Sequence, residues 1–84
     1  MEVLRNGEKV KMNYEDVCKE LGYKSDVNFV KVDDQGYIGF TVGRPDEIRE
    51  LYSRLNNKGF IPSKSFTKRI ENLALYDYIL NARI

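Results

Sequence analysis

The chain has no histidine or tryptophan, and its 84 residues include a single cysteine, Cys18. Without histidine, the commonest general base and the commonest metal ligand are missing. One cysteine neither closes an internal disulfide nor supplies the thiolates of a zinc site. These absences exclude Ser-His-Asp triads and Cys-His nucleophile pairs. The sequence therefore predicts a protein that is not an enzyme and that uses no metal and no cofactor.

Long apolar runs are also absent. No stretch approaches the ~18 apolar residues of a membrane span, and residues 1–10 lack the apolar core and the small-residue cleavage site of a signal peptide. A lone cysteine suits a reducing compartment. We therefore expect a cytoplasmic protein without membrane contact, folded as one domain over residues 1–84.

The charge is nearly balanced, at +1, but one stretch is basic. Segment 58–69, KGFIPSKSFTKR, contains no acid and four basic residues: Lys58, Lys64, Lys68 and Arg69. A nucleic-acid contact typically combines lysines that neutralise phosphates, hydroxyl groups near the start of a helix and aromatic rings that stack on bases. In this segment the rings would be those of Phe60 and Phe66. The alternative is a solvated loop with both phenylalanines packed inward.

Two β-hairpins are predicted before residue 43. In residues 27–42, a three-residue loop ending at Gly36 makes Val30 face Phe40. The same register brings these apolar residues to one face: Val30, Val32, Ile38, Phe40 and Val42. Asp33 and Asp34 are interpreted as turn residues, because the spacing of a calcium loop is absent. Asn6-Gly7 predicts the other hairpin, which is the first in the chain, over residues 2–12; in it Val3 faces Val10.

Three helices are expected. Asn13 caps the first, over residues 14–21; Pro45 begins the second, which stops at Gly59; and Ser63 or Ser65 caps the third. The order β-β-α-β-β-α-α predicts an α+β domain, with an antiparallel sheet of about four strands and helices packed on one face.

The last helix has two apolar stripes. The first comprises Phe66, Ile70, Leu73, Ala74 and Leu80, and the second comprises Leu75, Tyr78, Ile79 and Ala82. A helix that is apolar all round is usually buried on more than one face. The second stripe therefore predicts either a helix wedged deep in its own fold or an interface, through Leu75, Tyr78 and Ile79, with a partner protein or a second copy.

These patterns favour a small non-catalytic binding or regulatory protein that acts through protein–protein contacts. The alternative is a nucleic-acid-binding protein that uses the basic segment 58–69.

The nucleic-acid alternative predicts affinity for a single-stranded oligonucleotide that falls steeply with salt, because lysines release counterions when they neutralise phosphates. Replacing both Lys64 and Lys68 with alanine is expected to weaken binding and to flatten the salt dependence, as measured by fluorescence anisotropy. Undetectable or salt-independent binding would contradict this alternative.

Overall fold

The α+β class and the predicted order of elements are confirmed in the computed structural model, which describes the backbone of residues 1–82 and the side chains of residues 1–79. The strands are β1 (Glu2–Arg5), β2 (Glu8–Lys11), β3 (Val30–Val32) and β4 (Ile38–Phe40). The helices are α1 (Tyr14–Leu21), α2 (Pro45–Asn57) and α3 (Lys64–Ala82). The side chains of Leu80 and Ala82, which we assigned to the two stripes of the last helix, lie outside the described residues.

Both hairpins have the predicted register. In the first, Val3 pairs with Val10; in the second, Val30 pairs with Phe40 and Gly36 has a positive φ of 88°. The hairpins nevertheless form two separate two-stranded antiparallel sheets. The prediction of one sheet with about four strands is therefore not confirmed.

The stretch between α2 and α3 lies between the two hairpins and bonds to both. The Asn6 N–H donates to the Gly59 carbonyl at 2.7 Å, and the Ile38 N–H donates to the Ile61 carbonyl at 2.9 Å. Because Pro62 has no N–H, this stretch does not supply the continuous ladder of a central strand. It connects the hairpins through isolated bridges instead.

The two hairpins also touch directly at Gly36. Its carbonyl accepts the Leu4 N–H at 3.0 Å, and the residue is buried. A Cβ at this position would lie 2.8 Å from the Leu4 nitrogen and 3.0 Å from the Glu2 carbonyl oxygen. Glycine is therefore required here both for its positive φ and for the close approach of β1.

Helix α1 has the predicted ends. Asn13 Oδ1 accepts the Asp16 N–H at 2.8 Å, which caps the first turn. At the other end Gly22 is left-handed, and the Tyr23 N–H donates to the Cys18 carbonyl at 2.9 Å, as in a Schellman motif.

Helix α3 is capped by Ser63, one of the two serines that the sequence allowed. Ser63 Oγ accepts the Phe66 N–H at 3.2 Å, and the Ser63 carbonyl accepts the Thr67 N–H at 3.0 Å. This start puts Phe66 in the first turn, where its ring lies 4.9 Å from the Phe40 ring in an edge-on contact.

One core receives side chains from α1, α2, α3 and three of the strands. Its fully or nearly fully buried members are Val3, Val17, Cys18, Leu21, Val30, Ile38, Ile48, Leu51, Leu55, Phe60 and Phe66. The prediction that Val42 belongs to the apolar face of the second hairpin is wrong, because Val42 is 84% exposed. Strand β4 ends at Phe40, so the alternation of faces does not extend that far.

Replacing Gly36 with alanine is expected to lower the free energy of unfolding by about 3 kcal/mol, because a strained φ adds to a clash with β1 backbone. Gly7→Ala is the matched control. Gly7 also has a positive φ, of 80°, but nothing lies within 4 Å of its Cβ position, so the expected loss is about 1 kcal/mol. Urea denaturation measures both values. Equal losses would show that the Gly36 contact with β1 contributes nothing.

Candidate functional site

The basic residues predicted from segment 58–69 do not form one cluster. Lys58 caps the C-terminus of α2 and borders a shallow depression together with residues of α1, including Lys19 and Glu20. Lys64, Lys68 and Arg69 are exposed in the first two turns of α3.

The rings of that segment are not available for stacking. Phe60 is 2% exposed and Phe66 is 1% exposed. The Arg5 guanidinium carbon lies 4.9 Å from the centre of the Phe60 ring, and Phe66 packs against the rings of Phe40 and Tyr52. The expectation that these rings are stacking surfaces is therefore wrong, and both phenylalanines are packed inward.

A groove of about 530 Å³ runs between the β3–β4 hairpin and the start of α3. Its polar lining includes Lys31, Asp33, Tyr37, Ser63, Ser65 and Arg69. Of the four basic residues predicted as candidates, the groove includes only Arg69, and it adds Lys31, which sequence reasoning missed.

Gly39 lies between the two sides of this groove. Lys31 is its partner across the hairpin. On the other side, a Cβ on Gly39 would lie 3.5 Å from Ser63 Oγ. Ser63 Oγ is in turn 3.2 Å from Ser65 Oγ. The missing side chain at Gly39 therefore leaves space between β3 and the start of α3.

Asp33 is the only carboxylate among the described residues that line the groove, and its side chain is engaged in the turn. Its Oδ1 accepts the backbone N–H groups of Gln35 and Tyr37, each at 2.9 Å. This agrees with its interpretation as a turn residue. Within the described part of the chain, no three side chains of the metal-binding types come together.

The second candidate surface is the distal half of α3. Leu75, Tyr78 and Ile79 are 57%, 72% and 45% exposed, and Tyr76, which we did not predict, is 60% exposed. Burial of this stripe deep in the fold, one of the two alternatives, is therefore wrong for these residues. Helix α2 contacts the opposite side of α3, where Arg49 forms an ion pair with Asp77.

The third candidate is a small polar cluster, in which Tyr14 joins α1 to β3. The Tyr14 hydroxyl donates to the Val30 carbonyl. Burial, and then the hydrogen bond with Cys18, raise the pKa of Tyr14 to about 12. Burial also raises the pKa of the Cys18 thiol, whose residue is 1% exposed. Such a thiol packs as a small apolar group and is not poised as a nucleophile.

Comparison of the chain with models of protein families, with curated proteins and with solved structures finds no match. None of the helices described is both long enough and apolar enough to cross a membrane. The geometry of the groove and of the helix surface is therefore the basis for any functional conclusion.

The raised pKa of Tyr14 predicts loss of stability at high pH. The unfolded chain releases the phenol proton near pH 10, whereas the folded chain retains it until about pH 12, so the free energy of unfolding falls between these values. Tyr14→Phe is expected to lose about 1 kcal/mol at pH 8, because the Val30 carbonyl loses its donor, and to show a smaller fall above pH 10.

Urea denaturation at a series of pH values measures this difference. Tyr76→Phe is the control, because it removes the hydroxyl of an exposed residue. If the free energy of unfolding falls equally with pH above pH 10 in the wild type and in Tyr14→Phe, the loss of stability is not caused by ionisation of Tyr14.

Proposed function

We propose that this protein is a non-catalytic binding or regulatory protein that acts by contact with another protein chain through the distal half of α3. The occupant that we propose is α3 of a second copy. The observation that carries this proposal is the run of four large exposed side chains within residues 75–79. We also propose a cytoplasmic location, on the basis of the single buried cysteine.

The composition of this run suits an interface. Contiguous exposed apolar side chains mark contact sites more often than scattered ones do. Tyrosine is enriched at interfaces, because it offers a large contact area at a low cost in conformational entropy. Two of the four side chains, Tyr76 and Tyr78, are of this type.

The arrangement around the helix favours a helical partner. Successive residues of an α-helix are about 100° apart, so Leu75 and Ile79 share one outward face, with Tyr76 and Tyr78 on either side of it. An apolar face of this kind packs side by side against another helix. Asp77 lies on the inner side, where Arg49 holds it.

A second copy is the occupant that fits best. Most soluble oligomers are homo-oligomers, and a two-fold axis buries the same patch of both chains at once. With a net charge of +1, two copies repel each other weakly. An antiparallel pair of α3 helices would cover Leu75, Tyr78 and Ile79 in each chain.

Nucleic-acid binding is the second candidate function, supported by one observation. Lys64 and Lys68 are exposed and one helical turn apart, so they share one face of α3. The burial of Phe60 and Phe66 and the separate position of Lys58 leave this candidate with fewer contacts than its sequence pattern suggested.

Sedimentation velocity over a range of protein concentrations tests the proposed pairing. We expect a concentration-dependent dimer for the wild type. Tyr78→Glu and Ile79→Glu should each shift the equilibrium to the monomer by at least about tenfold, because a buried carboxylate at the interface would be unpaired. Their thermal unfolding is expected to stay close to that of the wild type, since both side chains are exposed.

Ser53→Glu is the matched control. It adds the same charge at an exposed position of α2, outside the proposed contact residues 75–79, and should leave dimerisation unchanged. A wild-type protein that is monomeric at all concentrations would reject the second copy as the occupant. Unfolding of both glutamate variants would show that this part of α3 serves the fold.

A further inference from the structure

The groove between the β3–β4 hairpin and α3 contains two cations that the fold does not use. Lys31 comes from β3 and Arg69 from the second turn of α3. Among the described side chains, every ion pair joins other residues, so neither cation has a carboxylate partner there. Two cations brought to one concave surface by different elements create a local positive potential.

Hydroxyl donors lie in the same groove. Ser63 Oγ and Ser65 Oγ are 3.2 Å apart, and at most one of their two protons is used in the contact between them. At least one O–H is therefore available to an acceptor from outside. Ser65 and Arg69 are four residues apart on α3, so they lie on the same side of the helix.

The single acid of the groove does not cancel this potential. The lining has one negative charge, on Asp33, and two positive charges, on Lys31 and Arg69, so its net charge is positive. Its Oδ1 is also occupied by the N–H groups of Gln35 and Tyr37. A complementary ligand is therefore an anion that accepts several hydrogen bonds, which describes a phosphate group.

The size of the groove extends the inference beyond a bare ion. A volume of about 530 Å³ falls in the usual range for sites that bind small organic molecules. Tyr37 and Phe40 supply aromatic lining beside the polar groups. We propose that this groove binds the phosphate group of a ligand of nucleotide size, with Lys31 and Arg69 as cationic contacts and Ser63 and Ser65 as hydroxyl donors.

This proposal is independent of the pairing of α3, because the groove and residues 75–79 are separate surfaces. The phosphate has two chemical sources, a free nucleotide or the backbone of a single-stranded nucleic acid, and both present the same group to Lys31 and Arg69.

Titration followed by amide chemical shifts in nuclear magnetic resonance spectra tests the proposal on the intact chain. The probes are a nucleoside monophosphate, the same nucleoside without phosphate, inorganic phosphate and a short single-stranded oligonucleotide. We expect the monophosphate to shift the amides of Gly39, Ser63 and Arg69. Inorganic phosphate should shift the same amides at higher concentration, and the bare nucleoside should shift none.

Variants at the two cations measure their contributions. Lys31→Ala and Arg69→Ala should each raise the Kd for the monophosphate about tenfold, as expected for the loss of one charge-assisted hydrogen bond. Lys68→Ala is the matched control, since it removes the same charge from α3 beside Arg69 but outside the groove, and it should change the Kd less than about twofold.

A variant that fills the groove tests whether binding depends on the shape of the groove as well as on its charge. Gly39→Val places a branched side chain between β3 and Ser63 and should weaken binding without removing a cation. Gly39→Ala, whose Cβ makes an ordinary contact with Ser63 Oγ, should keep binding. The amide spectrum of each variant shows whether it is folded.

The oligonucleotide separates the two sources of phosphate. Tighter binding than that of the monophosphate, with shifts that spread to Lys64 and Lys68, identifies a nucleic-acid backbone. Shifts confined to the groove, with the monophosphate bound at least as tightly, identify a free nucleotide. Equal binding of the nucleoside and its monophosphate, shifts outside the groove, or no shift at about 10 mM would overturn the proposal.

Discussion

The hydrogen bonds of the stretch between α2 and α3 hold the two hairpins in one fold. Each hairpin alone has only two strands, and an isolated two-stranded hairpin is marginally stable in water. The carbonyls of Gly59 and Ile61 accept from Asn6 and Ile38, one on each hairpin. Because this stretch bonds on both sides, it substitutes for the central strand that the two separate sheets lack.

The same stretch decides where the groove lies. After Ile61 accepts the Ile38 N–H, the Ser63 N–H donates to the Ile38 carbonyl at 2.8 Å. Helix α3 must therefore begin beside β4, with its capping serine next to Gly39. The space that Gly39 leaves, and the approach of Arg69 to the hairpin that carries Lys31, are consequences of this backbone pairing.

Helix α3 combines two different environments along its 19 residues. Its first turns are anchored by Phe66 and then by Ile70 and Leu73, which pack against the core. Farther along α3, helix α2 still contacts it at Asp77, which forms an ion pair with Arg49. The outward side of residues 75–79 meets no other element among those described, which is why apolar side chains there remain exposed.

Local features could be predicted from the sequence because they depend on neighbours along the chain. Turn and capping chemistry within a few residues predicts the register of both hairpins, the helix ends at Gly22 and Gly59, and Asn13 as the cap of α1. For α3 it left two candidates, Ser63 and Ser65, of which the structure uses Ser63. The mutual position of the hairpins did not follow, since it depends on bonds from residues 59–63 to Asn6 and Ile38, which are far apart in sequence. No short-range signal encodes those pairings.

The candidate sites, too, could be predicted from the sequence only in part. The sequence showed that α3 has a second apolar stripe, but only the tertiary structure decided that Leu75, Tyr78 and Ile79 are exposed, because burial depends on which side of α3 the helix α2 packs against. Likewise, the sequence determined that segment 58–69 is basic. The fold then turned Phe60 and Phe66 inward, set Lys58 apart and brought Arg69 to the same groove as Lys31, because packing and long-range backbone pairing, not order along the chain, determine which side chains meet.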